Sequence, residues 1–176
     1  MSIILLLIRK IVFIILSFIL YLFVLYLFPY PFSLINVFFA IATMHLFLNE
    51  SFAVVWYILL VHFFVELYST QPFGVIVFSA VISVLIMLWL YQHVFTNKSW
   101  YTAAGLVFCT LLIFRILYLV ALFILSLFGY ATMFSFSSIY YSFAWEICLT
   151  TVCSIVSHLI LTKSFAELQR DRVRYI

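Results

Sequence analysis

The stretch VELYSTQPFGV, residues 65–75, places a carboxylate and a polar turn between two strongly apolar segments. Long runs without Asp, Glu, Lys or Arg lie on both sides of it. Pro72 disfavours helix at the residue before it, and Gly74 permits a close backbone approach, so the stretch predicts a tight turn between two helices. The carboxylate of Glu66 can accept hydrogen bonds from the free amides of this turn or from its Ser, Thr and Gln side chains.

The composition identifies the solvent for which the chain is built. Apolar residues make up 69% of the sequence and charged residues 7%, against roughly 45–50% and 25% in soluble domains. Apolar runs of nearly the length that crosses about 30 Å of hydrocarbon recur throughout, which indicates an all-α, multi-pass membrane protein. The first run is too long for a signal peptide and lacks a small-residue cleavage site, so we expect it to remain in the protein.

Breaks rich in Pro, Gly, Asn and charge divide the chain into six candidate transmembrane helices. They form a single domain, residues 1–162, followed by a short basic tail, residues 163–176. The predicted spans are Ile11–Phe28, Phe32–Leu48, Phe52–Tyr68, Phe73–Phe95, Trp100–Phe128 and Ser138–Leu161.

The basic residues predict the orientation, because Lys and Arg favour the cytoplasmic side of short loops. With six spans, Arg9, Lys10, Lys98 and the tail all fall on one side, whereas five spans would split them. We therefore expect both termini in the cytoplasm. The tail either extends the last helix toward anionic membrane lipid or serves only as a topology anchor. The formal charge of +3 belongs to these anchors and gives no case for nucleic acid.

Three residues of the types Asp, Glu, Lys and Arg fall inside the predicted spans: Glu66, Arg115 and Glu146. At 1.5 Å per residue, each lies about 22–24 Å from the cytoplasmic face, so they could meet, and one Arg fork can bind two carboxylates. The cluster could hold three helices in register or line a path for a proton or substrate. We favour the structural interpretation because a path needs a longer relay of polar groups. His62 lies four residues before Glu66 on the same helix face, which fits an interior hydrogen bond better than a metal site.

The sequence offers little for catalysis or for binding a cofactor. Cys109, Cys148 and Cys153 have no CxxC spacing, so we expect inert, buried thiols and no metal. No nucleophile with an activating base occurs at convincing spacing, so the prediction is a protein that is not an enzyme and has no cofactor. Glu146 with Arg115 could be drawn as an acid with its stabiliser, but a structural pair is simpler.

The order of residues around the polar turn resembles that in the MreD family of bacterial rod-shape-determining membrane proteins. Here it reads Glu66-LYSTQ-Pro72-Phe-Gly74, followed by an apolar helix. The specific motif covers residues 62–74, and the likeness in size and organisation covers about 170 residues. The family tends to have Asp at the acidic position and Gly one turn before it, where this chain has Glu66 and His62.

The resemblance implies a non-enzymatic scaffold of the cell-wall elongation machinery. Its partners would be an MreC-like membrane protein and, through it, cell-wall synthesis proteins, and a homo-oligomer is possible. Glu66, Pro72 and Gly74 would carry over as fold-defining positions. The MreD fold is also similar to that of the substrate-binding components of energy-coupling-factor vitamin transporters, which supplies the alternative function. The outward polar residues are few for a vitamin pocket.

Overall fold

The computed structural model describes residues 3–95, 97, 99–130 and 136–174, and the side chains of 5, 8–95, 97, 99–130 and 141–163. Over this part of the chain every regular element is helical, and short turns connect the helices. The elements are α1 (Ile3–Leu27), a 3₁₀ turn (Phe32–Leu34), α2 (Val37–Asn49), α3 (Ala53–Leu67), α4 (Val75–His93), α5 (Trp100–Leu127) and α6 (Phe136–Arg174).

Four of the described helices are long and apolar enough to cross a membrane, and two are shorter. The long segments are Ile8–Leu27, Val75–His93, Trp100–Leu127 and Tyr141–Lys163. The shorter apolar helices are α2 and α3, with 13 and 15 residues. At 1.5 Å per residue they measure about 20 Å and 22 Å, less than the about 30 Å of a hydrocarbon core.

The prediction of one continuous second helix from Phe32 is wrong at its start. Residues Phe32–Leu34 form a separate 3₁₀ turn, and α2 begins only at Val37. The cause is a cap: Asn36 accepts a hydrogen bond through its side-chain oxygen from the amide of Phe39 at 3.4 Å. An Asn in this position satisfies a free helical amide and so fixes where the helix begins.

The last helix is longer than its predicted span. It runs to Arg174 and contains 39 residues, so it continues through most of the basic tail beyond Lys163. Side chains after Lys163 lie outside the described residues, and so does Lys98. Their contacts with lipid and their side of the membrane stay predictions.

Helices α3 and α4 lie antiparallel and are linked by polar contacts at both ends. At one end Glu66 of α3 binds the first turn of α4, where its Oε1 lies 2.9 Å from the amide of Ile76. At the other end the Tyr91 hydroxyl near the end of α4 donates to Oε1 of Glu50, between α2 and α3, at 3.2 Å. The turn between α2 and α3 therefore lies at the same end of the bundle as the end of α4.

The core lies among α2, α3, α4 and α5, with α6 packed beside α2 and α5. Its fully buried large side chains include Phe39, Leu46, Ile58, Met87 and Leu111. Helices α2 and α6 run in the same direction. The amide of Asn36 donates to Thr150 at 2.9 Å at one end, and the rings of Phe47 and His158 lie 5.2 Å apart at the other.

Helix α1 is peripheral, because it packs on α2, on the 3₁₀ turn and along a small part of α3. Tyr21 stacks on Phe38 with 4.8 Å between ring centroids. Phe13 packs against His45 and Tyr57 at 6.0 Å and 5.4 Å. The rest of the α1 surface consists mainly of exposed aliphatic and aromatic side chains.

Candidate functional site

Glu66 caps the helix that follows its own. Its side chain is 3% exposed, and its two oxygens accept hydrogen bonds from the amides of Ile76 and Val77 at 2.9 Å and 3.2 Å. The N-cap residue of α4 is Gly74, which has no side chain to accept such bonds. The carboxylate of α3 therefore replaces a local cap, at the helix end where negative charge is favourable.

The polar turn places the first turn of α4 next to the carboxylate of Glu66. Gly74 has φ +98°, in the left-handed region, and nothing lies within 4 Å of the position where a Cβ would stand. The requirement for glycine is therefore one of backbone conformation and not of space. Within the turn, Ser69 accepts a hydrogen bond from the amide of Gln71 at 3.1 Å through its hydroxyl. Of the two acceptor roles predicted for Glu66, the described contacts show bonds from backbone amides.

Arg115 and Glu146 form an ion pair between α5 and α6 in which the carboxylate is buried and the arginine is partly exposed. The Nε of Arg115 donates to Oε2 of Glu146 at 2.6 Å, and a second guanidinium nitrogen contacts the same oxygen. The other carboxylate oxygen accepts a hydrogen bond from the side-chain amide of Asn36 at 3.0 Å. Glu146 is 3% exposed and the Arg115 side chain 25%. Both oxygens of the carboxylate are thus occupied, as a buried charge requires.

Aromatic rings surround the guanidinium of Arg115. Its central carbon lies 4.4 Å from the ring centroid of Phe143, 5.4 Å from that of Phe114 and 5.7 Å from that of Tyr118. Rings at these distances attract a cation through their faces. The pair is held both by hydrogen bonds and by its aromatic surroundings.

The structure brings Arg115 and Glu146 together but gives Glu66 other partners. Among the described residues, no ion pair links Arg115 to Glu66. The expected interior hydrogen bond from His62 is made to a different group, since its Nδ1 donates to the carbonyl of Ile58 at 3.0 Å. The three predicted intramembrane charges therefore form two separate sites.

His62 lies in an aromatic layer between the helices. It is 3% exposed, and its ring centroid lies 5.3 Å from Phe39, 5.6 Å from Phe38 and 6.0 Å from Phe114. Phe114 precedes Arg115, so this layer connects the α3 site to the ion pair on α5. In this layer His62 packs against aromatic rings of α2 and α5.

Sequence reasoning missed a polar stripe on α6. Glu146, Thr150, Ser154 and His158 are spaced four residues apart, and each is at most 6% exposed. The signal was the i, i+4 spacing of polar side chains, which places them on one helix face. Asn36 was also missed, because it was assigned to the interior of a predicted span.

The three cysteines differ in exposure, and possible metal ligands do not cluster among the described residues. The expectation of buried thiols is wrong for Cys148, whose side chain is exposed, while Cys109 and Cys153 are partly exposed. The helix turns Cys148 outward because Glu146 and Thr150 occupy its inner face. Within the part of the chain that the structure describes, no group of three or more His, Cys, Asp or Glu side chains could hold a metal ion.

Comparison with known proteins assigns no family and no function to the chain. The chain matches no protein-family model, no curated protein and no solved structure.

Proposed function

We propose that this chain is a non-enzymatic scaffold of the bacterial cell-wall elongation machinery, of the MreD type, in the cytoplasmic membrane. The observation that carries the proposal is the cap that Glu66 forms on α4 across the turn containing Pro72 and Gly74. The resemblance to the family rests on these residues, and their contacts give them a fold-defining use. A scaffold needs helices held in a fixed register to present faces to its partners.

The second polar site supports the same role. The Glu146 carboxylate joins Arg115 of α5 to Asn36 at the start of α2, so one buried group links three helices. Interhelical polar contacts in membranes contribute only about 0.6–2 kcal/mol each, but they specify geometry. These bonds satisfy both carboxylate oxygens, which favours a structural link over acid–base chemistry.

We infer that all six helices cross the membrane, with both termini in the cytoplasm. Support for the two short helices comes from the contacts at the ends of α3 and α4. From Glu50 to Glu66 a helix rises about 24 Å, and from Ile76 to Tyr91 about 22 Å, so α3 and its flanking turns match most of the length of α4. A local thinning of the bilayer accommodates the remaining difference at modest cost.

Partner binding would use the exposed apolar faces of the bundle. Trp56, Phe78 and Phe123 are 57–63% exposed on three different helices. Such side chains suit lipid, an MreC-like membrane protein or a second copy of the chain. We propose contact through helix faces with an MreC-like protein and, through it, with cell-wall synthesis proteins.

Affinity purification of the tagged chain from native bacterial membranes tests this function. The membranes are solubilised in mild detergent, and mass spectrometry identifies the proteins recovered with the chain. Glu66→Gln weakens the cap, and Glu50→Gln makes the same chemical change at an exposed carboxylate. We expect the first variant to recover less of each partner than the second at equal expression.

The identity of the recovered proteins decides between the two candidate functions. Recovery of MreC-like and cell-wall synthesis proteins supports the scaffold. Recovery of an ATPase pair with a transmembrane coupling subunit would replace it with the substrate-binding component of a vitamin transporter. In that case the Arg115–Glu146 pair, which lies toward the same end of the bundle as Glu66, becomes the candidate wall of the ligand pocket.

A further inference from the structure

A large groove runs along the peripheral helix α1. It has a volume of about 1240 Å³ and lies between α1 and the faces of α2 and α3, with a contribution from α6. Most of its wall is apolar and includes Leu20, Val24, Ile41 and Met44. Ligand pockets commonly measure about 300–1,000 Å³, so the groove has room for a large apolar ligand.

One end of the groove is basic and polar. Arg9 and Lys10 line it on α1, and Asn49 and Ser51 line it at the turn between α2 and α3. Both basic side chains are exposed, and among the described residues neither is in an ion pair. A guanidinium beside an ammonium group is a strong binding arrangement for a phosphate.

The distance along the groove matches the thickness of a membrane. From Lys10 to Phe28, which also lines it, α1 rises about 27 Å, close to the about 30 Å of the hydrocarbon core. The basic end therefore lies at headgroup depth, and the half of the groove next to it, about 14 Å long, matches the acyl region of one leaflet. His45, within the groove wall, has a buried Nδ1 with no hydrogen-bond partner among the described residues.

We propose that this groove binds one anionic phospholipid, with its phosphate at Arg9 and Lys10 and its acyl chains between α1 and α2. The charge of the groove favours a lipid over an apolar helix of a partner protein, because an apolar helix would give Arg9 and Lys10 no counter-ion. The site belongs to the leaflet on the side where α1 begins. It differs from the general solvation of the outer helix faces because a cavity and a basic pair coincide here.

Quenching of tryptophan fluorescence by brominated lipids tests the site directly. Trp56 lines the groove, whereas Trp89 lies on α4 outside it; their exposed fractions are similar, 63% and 55%. Two single-tryptophan proteins, each with the other three tryptophans replaced by Phe, are reconstituted in vesicles. Each is titrated with dibrominated phosphatidylglycerol and, separately, with dibrominated phosphatidylcholine.

We expect phosphatidylglycerol to quench Trp56 at a lower mole fraction than phosphatidylcholine, and both lipids to quench Trp89 equally. Each basic residue near the membrane surface contributes about fivefold to the preference for the anionic lipid. Arg9→Gln with Lys10→Gln should therefore remove most of the difference at Trp56. Lys163→Gln, which removes a cation outside the groove, should leave it unchanged.

A second variant separates the apolar part of the site from its charge. Ile41→Phe narrows the groove, leaves Arg9 and Lys10 in place and adds no tryptophan fluorescence. It should raise the mole fraction needed to quench Trp56, with helix content held constant by circular dichroism. Equal quenching curves for the two lipids at Trp56, or an equal loss of preference in Lys163→Gln, would overturn the proposal.

Discussion

Replacing Glu66 tests whether one side chain of α3 holds the start of α4. In Glu66→Ala, the amides of Ile76 and Val77 lose acceptors that now lie 2.9 Å and 3.2 Å away. Loss of an N-cap costs about 0.5–2 kcal/mol, and a hydrogen bond to a charged group contributes about 1.5–3 kcal/mol. Because the site is buried and Gly74 offers no substitute, we expect a loss of about 2–4 kcal/mol in the free energy of unfolding.

Graded substitutions separate the cap from the general effect of removing a charge. Glu66→Gln keeps one acceptor oxygen but turns an NH₂ donor toward an amide donor, so we expect a loss of about 1–2 kcal/mol. Glu50→Gln is the matched control because Glu50 is exposed. Its Tyr91 contact can persist through the amide oxygen, so a loss of less than about 1 kcal/mol is expected.

Two measurements on the purified protein in mixed micelles check this order. Titration with sodium dodecyl sulfate, followed by circular dichroism, gives the relative stabilities. Hydrogen exchange resolves the location, and the amides of Ile76 and Val77 should exchange faster in both Glu66 variants than in Glu50→Gln. If Glu66→Ala left the exchange at these amides unchanged, the cap would not be what positions α4.

Three further predictions concern the turn, the ion pair and the topology. Gly74→Ala should lower stability by about 1 kcal/mol through backbone strain at φ +98°, since no atom obstructs the new Cβ; Gly74→Asn should cost less in the same titration. Arg115→Met leaves the buried Glu146 carboxylate without its cation and should cost about 3–5 kcal/mol, and adding Glu146→Met should recover much of that loss in a double-mutant cycle. A cysteine at Asn49 should react with a membrane-impermeant thiol reagent from the same side as one at Lys98, and labelling from opposite sides would exclude six spans.

The sequence predicted the positions of the helices along the chain better than the contacts between helices. Apolar runs and breaks located all six described helices, because length and hydropathy depend on local sequence. The start of α2 was missed although its cap is local, because Asn36 was assigned to the interior of an apolar run and not to the position before a helix. The contact of the Asn36 backbone amide with Thr150, more than a hundred positions away, could not be predicted. No local pattern reveals such a contact.

The candidate site shows the same division. Helical rise placed Glu66, Arg115 and Glu146 at similar depth, and the pairing of Arg115 with Glu146 agrees with that. Depth does not fix the direction in which a side chain points around its helix, so the partner of Glu66 was not determined. The residue that completed the ion pair, Asn36, was hidden inside a predicted span.

The lipid surroundings explain why the carboxylates of Glu66 and Glu146 lie within apolar segments. Apolar side chains contact lipid about as favourably as they contact one another, so packing alone fixes the register between membrane helices only weakly. In contrast, moving a buried carboxylate away from its hydrogen-bond donors costs several kcal/mol of free energy. Glu66 fixes α4 against α3, and Glu146 fixes α6 against α5 and the start of α2. Two such contacts, joined by the aromatic layer around His62, favour this arrangement over others of similar apolar packing energy.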